Sequence, residues 1–109
     1  MKESFLDNPL KFIRQCVQQR KIQWTYHVNM RLKNRGISRE AIVSSISQYE
    51  IIEEYPKDKY FPSYLIYSQY QNIVFHVLFA ADIECENVRV ITAYIPNSEK
   101  WEGDLKTRR

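Results

Sequence analysis

Two histidines, His27 and His76, are the only side chains here whose ordinary titration spans neutral pH. An imidazole of that kind can serve as general acid or general base. His27 lies in the stretch WTYHVNMRLKNRGIS, from Trp24 to Ser38, and Arg31 and Arg35 follow it at i+4 and i+8. Residues three or four apart are neighbours on a helix, so one helix presents all three along a line. Arginine holds a phosphate bidentately and neutralises charge that develops in a transition state. Cleavage of RNA by its own 2′-hydroxyl needs those parts: a base, an acid and a cation at the phosphorane. The pattern therefore points to His27 and His76 as acid and base, brought within hydrogen-bond reach or one bridging water, with Arg31 and Arg35 on the phosphate. Tyr94 lies near the end of a predicted strand, before Pro96, where it can stack on a base or donate a hydrogen bond. Lys33, Arg35, Arg39, Arg89 and Arg108 are the candidates for holding the RNA backbone.

Each of these residues also has a purely structural role open to it. His76 sits between Val74, Phe75 and Leu78, as a core histidine would. Arg31 and Arg35 fit equally well as surface partners of Glu50, Glu53 or Glu54, and such pairs contribute little. Metal chemistry has less to work with. Two histidines fall short of a closed site, and Cys16 and Cys85 lie far apart with no metal or redox spacing. No phosphate-binding glycine loop, HExxH or GxSxG is present. The sequence predicts neither a metal nor a cofactor.

The elements that must position these groups can be followed along the chain. Its 109 residues suit one domain, spanning residues 1–109. The opening MKESFLDNP carries charge and a proline where a secretory leader needs an apolar run, so no leader is expected. No apolar stretch is long enough for a membrane helix, and a cytoplasmic protein is expected. The net charge of +3 is small, but its distribution is uneven. From Asn8 to Arg39 every Lys, Arg, Asp or Glu is a Lys or Arg, whereas Ser63 to Ala81 holds none of the four. A basic half beside a neutral half is an electrostatic footprint for an anion.

Asn8 as cap and Pro9 at the first helical position predict a helix over residues 8–20, with Phe12, Ile13, Cys16 and Val17 inward and Arg14 outward. Residues 22–25 read as a connector anchored by Trp24. A second helix over residues 26–34 ends at Gly36, and Ser38 caps a third over residues 39–48. Strands follow at 50–55, 64–70, 72–80 and 88–95. The third of these is nearly continuous apolar, as a strand buried on both faces would be. Regular alternation puts Thr92 and Tyr94 on one face of the last strand with Val88 and Val90, and Arg89 on the other with Ile91 and Ala93. The tail carries Trp101, Lys106, Arg108 and Arg109. Helices first and consecutive strands afterwards predict an α+β fold, N-terminal helices packed on a mainly antiparallel curved sheet.

Several of these features recur together. Thr25, His27, Arg31, Arg35, Gly36, Ile37 and Ser38 on a helix are followed by Glu50 to Tyr55, Pro56, Asp58, Pro62 and Ser63. His76 then lies on a strand, followed by Ile91 to Tyr94, Pro96 and Trp101. The pattern resembles the bacterial domain-of-unknown-function family 4258. The resemblance implies a fold akin to the RelE/ParE-like toxin superfamily, with two N-terminal helices and a curved antiparallel sheet. It implies a type II toxin, encoded beside a small antitoxin protein. RelE-like relatives cut messenger RNA, often on the ribosome, and ParE-like ones poison gyrase. The expectation is a toxin-like, metal-independent ribonuclease whose partners are RNA, free or ribosome-bound, and an antitoxin. The alternative is a non-enzymatic interaction module or gyrase-type inhibitor. The family has no assigned catalytic set, so His27, Arg31, His76 and Tyr94 rest on the chemistry above. RelE-type enzymes tend to carry a tail tyrosine, and this tail has none.

Overall fold

Local chemistry sets the helix ends. The computed structural model describes residues 8–109, so the opening on which the expectation of no leader rests, apart from Asn8 and Pro9, lies outside the described residues. Asn8 Oδ1 accepts the Lys11 N–H at 3.1 Å, and Pro9 starts α1 (Pro9–Gln18), which buries Ile13, Cys16 and Val17. Thr25 Oγ1 accepts the Val28 N–H at 3.1 Å and opens α2 (Tyr26–Arg35). Gly36 closes that helix at φ +71°, a left-handed conformation that costs a side-chain-bearing residue. The Gly36 and Ile37 N–H groups then turn back to the carbonyls of Lys33 and Leu32. Ser38 caps α3 (Arg39–Ser44) through the Ala41 N–H at 2.9 Å. This helix stops short of the predicted residue 48. The Ser45 hydroxyl bonds the Ile42 carbonyl, and a 3₁₀ turn over Ile46–Gln48 takes over. Arg14, expected to face solvent, instead donates to the carbonyls of Ile46 at 3.2 Å and Tyr49 at 3.1 Å.

Five strands form one open sheet: β1 (Ile22–Trp24), β2 (Glu50–Tyr55), β3 (Ser63–Tyr70), β4 (Ile73–Asp82) and β5 (Asn87–Tyr94), in the order β1-β5-β4-β3-β2. β2 to β5 make the expected antiparallel meander. The predicted connector turns out to be an edge strand. β1 pairs parallel with β5, Ile22 opposite Val88 and Trp24 opposite Val90, so the sheet is mixed. Three residues are too few to show a period, and their strand character comes from the edge they lie against.

The helices cover one face. Ile13, Val17, Val28, Leu32 and Ile42 pack there against Phe75, Val77, Phe79, Val88, Val90 and Ala93. Alternation along β4 turns His76 to the other face, in register between Tyr67 and Tyr94. The expected alternation along β5 fails at one point. Leu78 pairs with Thr92 and Phe79 with Val90, which leaves Ile91 as a bulge. The extra residue resets the pleat. Val88, Val90 and Ala93 face the helices, whereas Arg89, Thr92 and Tyr94 pair with the β4 residues of the opposite face, Ala80, Leu78 and His76. Tyr94 therefore does not share the face of Val88 and Val90.

The tail covers part of that second face. Residues 97–109 fold back on themselves, Trp101 bridging to Arg108. Asp104 Oδ1 holds the turn by accepting the Lys106 N–H at 2.9 Å and the Thr107 N–H at 3.0 Å. Trp101 is buried beneath it. No described helix is long and apolar enough to cross a membrane.

Candidate functional site

β1 pairs with only the first part of β5, Val88 to Val90, and leaves the outer edge of β5 uncovered beyond it. Arg35, at the end of α2, comes over that edge. Its Nη1 donates to the Ala93 carbonyl at 2.7 Å and lies 3.4 Å from Thr92 Oγ1. The tail rises on the far side. Between them lies an open cleft of about 580 Å³, lined by Arg35, Thr92, Tyr94, Ile95, Pro96, Asn97, Lys100, Trp101 and Arg108.

Arg108 forms one wall. Its guanidinium lies 4.5 Å from the centre of the Trp101 ring, and its Nε and Nη2 each hold a Glu53 oxygen at 2.9 Å. This forked pairing keeps the Glu53 carboxyl below the usual carboxylate range. The Tyr55 hydroxyl donates to the same carboxylate, which pushes the Tyr55 phenol up. Lys106 pairs with Glu50 at 3.0 Å and lies over the Tyr67 ring. Tail and β2 are thus joined by two ion pairs.

His76 lies behind Tyr94 and is fully buried. Its Nε2 is 2.7 Å from the Leu105 carbonyl, an acceptor only, so Nε2 carries the hydrogen. In the neutral ring Nδ1 then accepts the Tyr94 hydroxyl at 3.2 Å. Trp101 meets the ring edge-on with centroids 4.5 Å apart. Burial holds His76 below the ordinary histidine range, opposed by the Leu105 bond and by Glu53. Burial also raises the Tyr94 phenol. The result is a half-buried hydroxyl at the cleft, backed by a neutral imidazole and surrounded by cations.

The predicted His27–His76 pair does not form. His27 lies exposed on α2, its ring neighbour being Tyr26 at 6.0 Å, whereas His76 is sealed beneath the tail. α2 packs on the helical side of the sheet and His76 points to the other, so the sheet stands between them. Arg31 and Lys33 are exposed on α2 and pair with no acid among the described residues. Arg39 braces α2 and β1 instead, donating to Asn29 Oδ1 at 2.9 Å with its guanidinium over Trp24. Arg89 lies over Phe61, away from the cleft. Of the predicted residues, His76, Tyr94, Arg35 and Arg108 come together. Lys100 joins them unanticipated, as do Glu53 behind Arg108 and the Leu105 carbonyl on His76. The turn-forming Asn97 and Asp104 were the available signal that the tail folds back.

Residues 24–95 match the family described as a domain of unknown function, DUF4258. The chain belongs to that family. The DUF4258 match takes in α2, strands β2 to β5 and Tyr94, but begins at the last residue of β1, Trp24, and stops before Pro96 and Trp101, which the sequence resemblance includes. The DUF4258 core thus supplies Arg35 and Tyr94, and the tail beyond it supplies Lys100, Trp101 and Arg108. No curated protein and no solved structure matches the chain.

Proposed function

We propose that this DUF4258 protein is a toxin-like, metal-independent ribonuclease that binds messenger RNA in the cleft, with a small antitoxin as its partner in the cytoplasm. The observation that carries this reading is the convergence of Arg35, Lys100 and Arg108 around the Tyr94 hydroxyl, which is hydrogen-bonded to His76. Helices laid on one face of a β-meander support kinship with RelE-like proteins.

In this reading Arg35 and Lys100 hold the scissile phosphate. The Tyr94 oxygen takes the proton of the 2′-hydroxyl as its own proton passes to His76 Nδ1. The 2′-oxygen forms its bond to phosphorus and the bond to the 5′-oxygen breaks. The 5′-oxygen takes a proton from solvent, leaving a 2′,3′-cyclic phosphate and a 5′-hydroxyl. Tyr94 gives the proton it took to solvent as His76, cationic at that moment, returns its own to Tyr94, which restores the pair. Arg31 and His27 continue the line of Arg35 along α2 away from the cleft and serve to track the backbone.

The test is incubation of the purified protein with single-stranded RNA at low salt, followed by analysis of the new ends. Cyclic phosphate ends are expected, with Tyr94→Phe and His76→Gln each slowing cleavage by roughly a hundredfold. Expression should arrest growth, and Tyr94→Phe should relieve it. A binding-only module is the second reading, favoured by the separation of His27 from His76. Affinity without cleavage would establish it, and no affinity at low salt would remove RNA as the partner.

A further inference from the structure

A second hollow lies on the same outer face of the sheet, on the other side of the β5 bulge. It measures about 290 Å³. Leu78, Ala80 and Ile91 line it from the strands, and Tyr60 and Phe61 from the loop before β3. Tyr60 is 78% exposed, which leaves its ring open to a ligand. The Arg89 guanidinium sits 5.7 Å from the centre of the Phe61 ring, and the Lys59 ammonium 5.2 Å from that of Tyr60. An exposed ring–cation pair, Lys59–Tyr60, and a half-buried one, Arg89–Phe61, beside an apolar floor are what a flat, conjugated ligand stacks on.

We infer that this hollow is a base-stacking subsite for a single-stranded RNA whose phosphate lies in the cleft, a proposal that rests on the RNA-binding reading above. Continuity with the cleft chooses the occupant. Ile91 lines the hollow and its neighbour Thr92 lines the cleft, so the two meet at the bulge. Arg89 lies opposite Ala80 and Tyr94 opposite His76. Four residues of strand separate those positions, about 14 Å, the reach of roughly two or three extended nucleotides. Asp58 also lines the hollow, its carboxylate accepting from the Ser63 hydroxyl. A carboxylate repels a phosphate there but tolerates a base, which is uncharged. Arg89 and Lys59 then face the backbone on either side. Every base has a π-face, so this subsite sets the length of RNA held and leaves its sequence open.

The probe is a five-nucleotide single-stranded RNA at low salt, with a second version lacking one base two or three positions from the cleft phosphate. Fluorescence anisotropy gives the dissociation constants. Tyr60→Leu is expected to weaken the intact RNA by about tenfold, and Tyr60→Phe, which keeps the ring, to leave it unchanged. Removing the base should weaken binding to the wild type by a similar factor, and Tyr60→Leu should then add nothing more. Full affinity of Tyr60→Leu for the intact RNA, while Arg35→Ala still weakens it, would overturn the subsite and leave the cleft reading standing. Tenfold losses from base removal and from Tyr60→Leu that simply multiply would also overturn it, because the two changes would then act at different places. Absence of binding to the wild type would overturn both. Tyr60 is exposed, so its replacements leave the core untouched, and circular dichroism checks that they fold.

Discussion

Both nitrogens of the His76 ring are engaged inside the protein, Nε2 by the Leu105 carbonyl and Nδ1 by the Tyr94 hydroxyl. Protonating the ring would put a charge where burial opposes it, and the folded state therefore holds its proton less tightly than the unfolded chain. The contribution to stability is complete above the unfolded histidine value and is lost as pH falls below about 6.5. The charged groups facing the ring are Glu53, which resists this loss, and Arg108, which adds to it. The lowered Glu53 carboxyl acts in a separate window. Its stabilisation is present above the ordinary carboxylate range and fades only at more acid pH. Urea unfolding at pH 7.5 and pH 5.5 should thus show the wild type weaker at the lower pH, and His76→Gln should largely abolish the difference. An unchanged slope in His76→Gln would assign it to another group. Arg31 presents the opposite case. It has no acid partner among the described residues and stands one turn from Arg35. Like charges at that spacing cost a few tenths of a kcal/mol. Arg31→Ala should leave the melting temperature unchanged or slightly higher, and a clear fall would show that it braces the fold.

The tail hairpin is the element on which the site depends most, because it contributes Lys100, Trp101 and Arg108 and carries the Leu105 carbonyl. Its turn is made by one carboxylate. Asp104 accepts the Lys106 and Thr107 N–H groups and the Thr107 hydroxyl, and its carboxyl lies below the usual range through those bonds. Asp104→Ala should speed hydrogen exchange across residues 98–109 while the amides of β3 and β4 keep their protection. Uniform loss of protection would mean that the tail and the sheet unfold as one unit. The end of α2 positions the opposite wall. Gly36→Ala would force an L-residue to φ +71° at a cost of about 1–2 kcal/mol, and Arg35 sits directly before that strained position. The variant should therefore lose cleft affinity together with stability.

At the scale of the whole molecule, the cleft lies where the basic helical half meets Lys100 and Arg108 of the tail, across the open edge of a sheet that is neutral along β3 and most of β4. Each phosphate neutralised by a cation releases counterion. Affinity for single-stranded RNA should fall with salt, with a slope of roughly −0.7 per contact. Arg35→Ala should reduce that slope by about one contact. Arg39→Ala should leave it unchanged, because Arg39 is committed to Asn29 and Trp24. Equal loss from both would mean that charge is read in bulk and that the cleft has no special part.

The difference between those two arginines shows what kind of information each level holds. Asn8, Ser38 and Gly36 mark helix ends from sequence alone, because a cap acts on a backbone group two or three residues away. The apolar run of β4 likewise declares a strand buried on both faces, since burial is written into each residue along it. Nothing local distinguishes Arg35 from Arg31. Only β1, ending at Trp24 against Val90, leaves the β5 edge open where Arg35 can reach it. A bulge at Ile91 reverses the face of Tyr94, and its cause lies in the partner strand and the twist of the sheet. His76 and His27 stand apart for the same reason. Sequence sets which groups exist and how strongly each prefers water, whereas the layer that receives them is decided by pairings across dozens of residues, which only the packed sheet supplies.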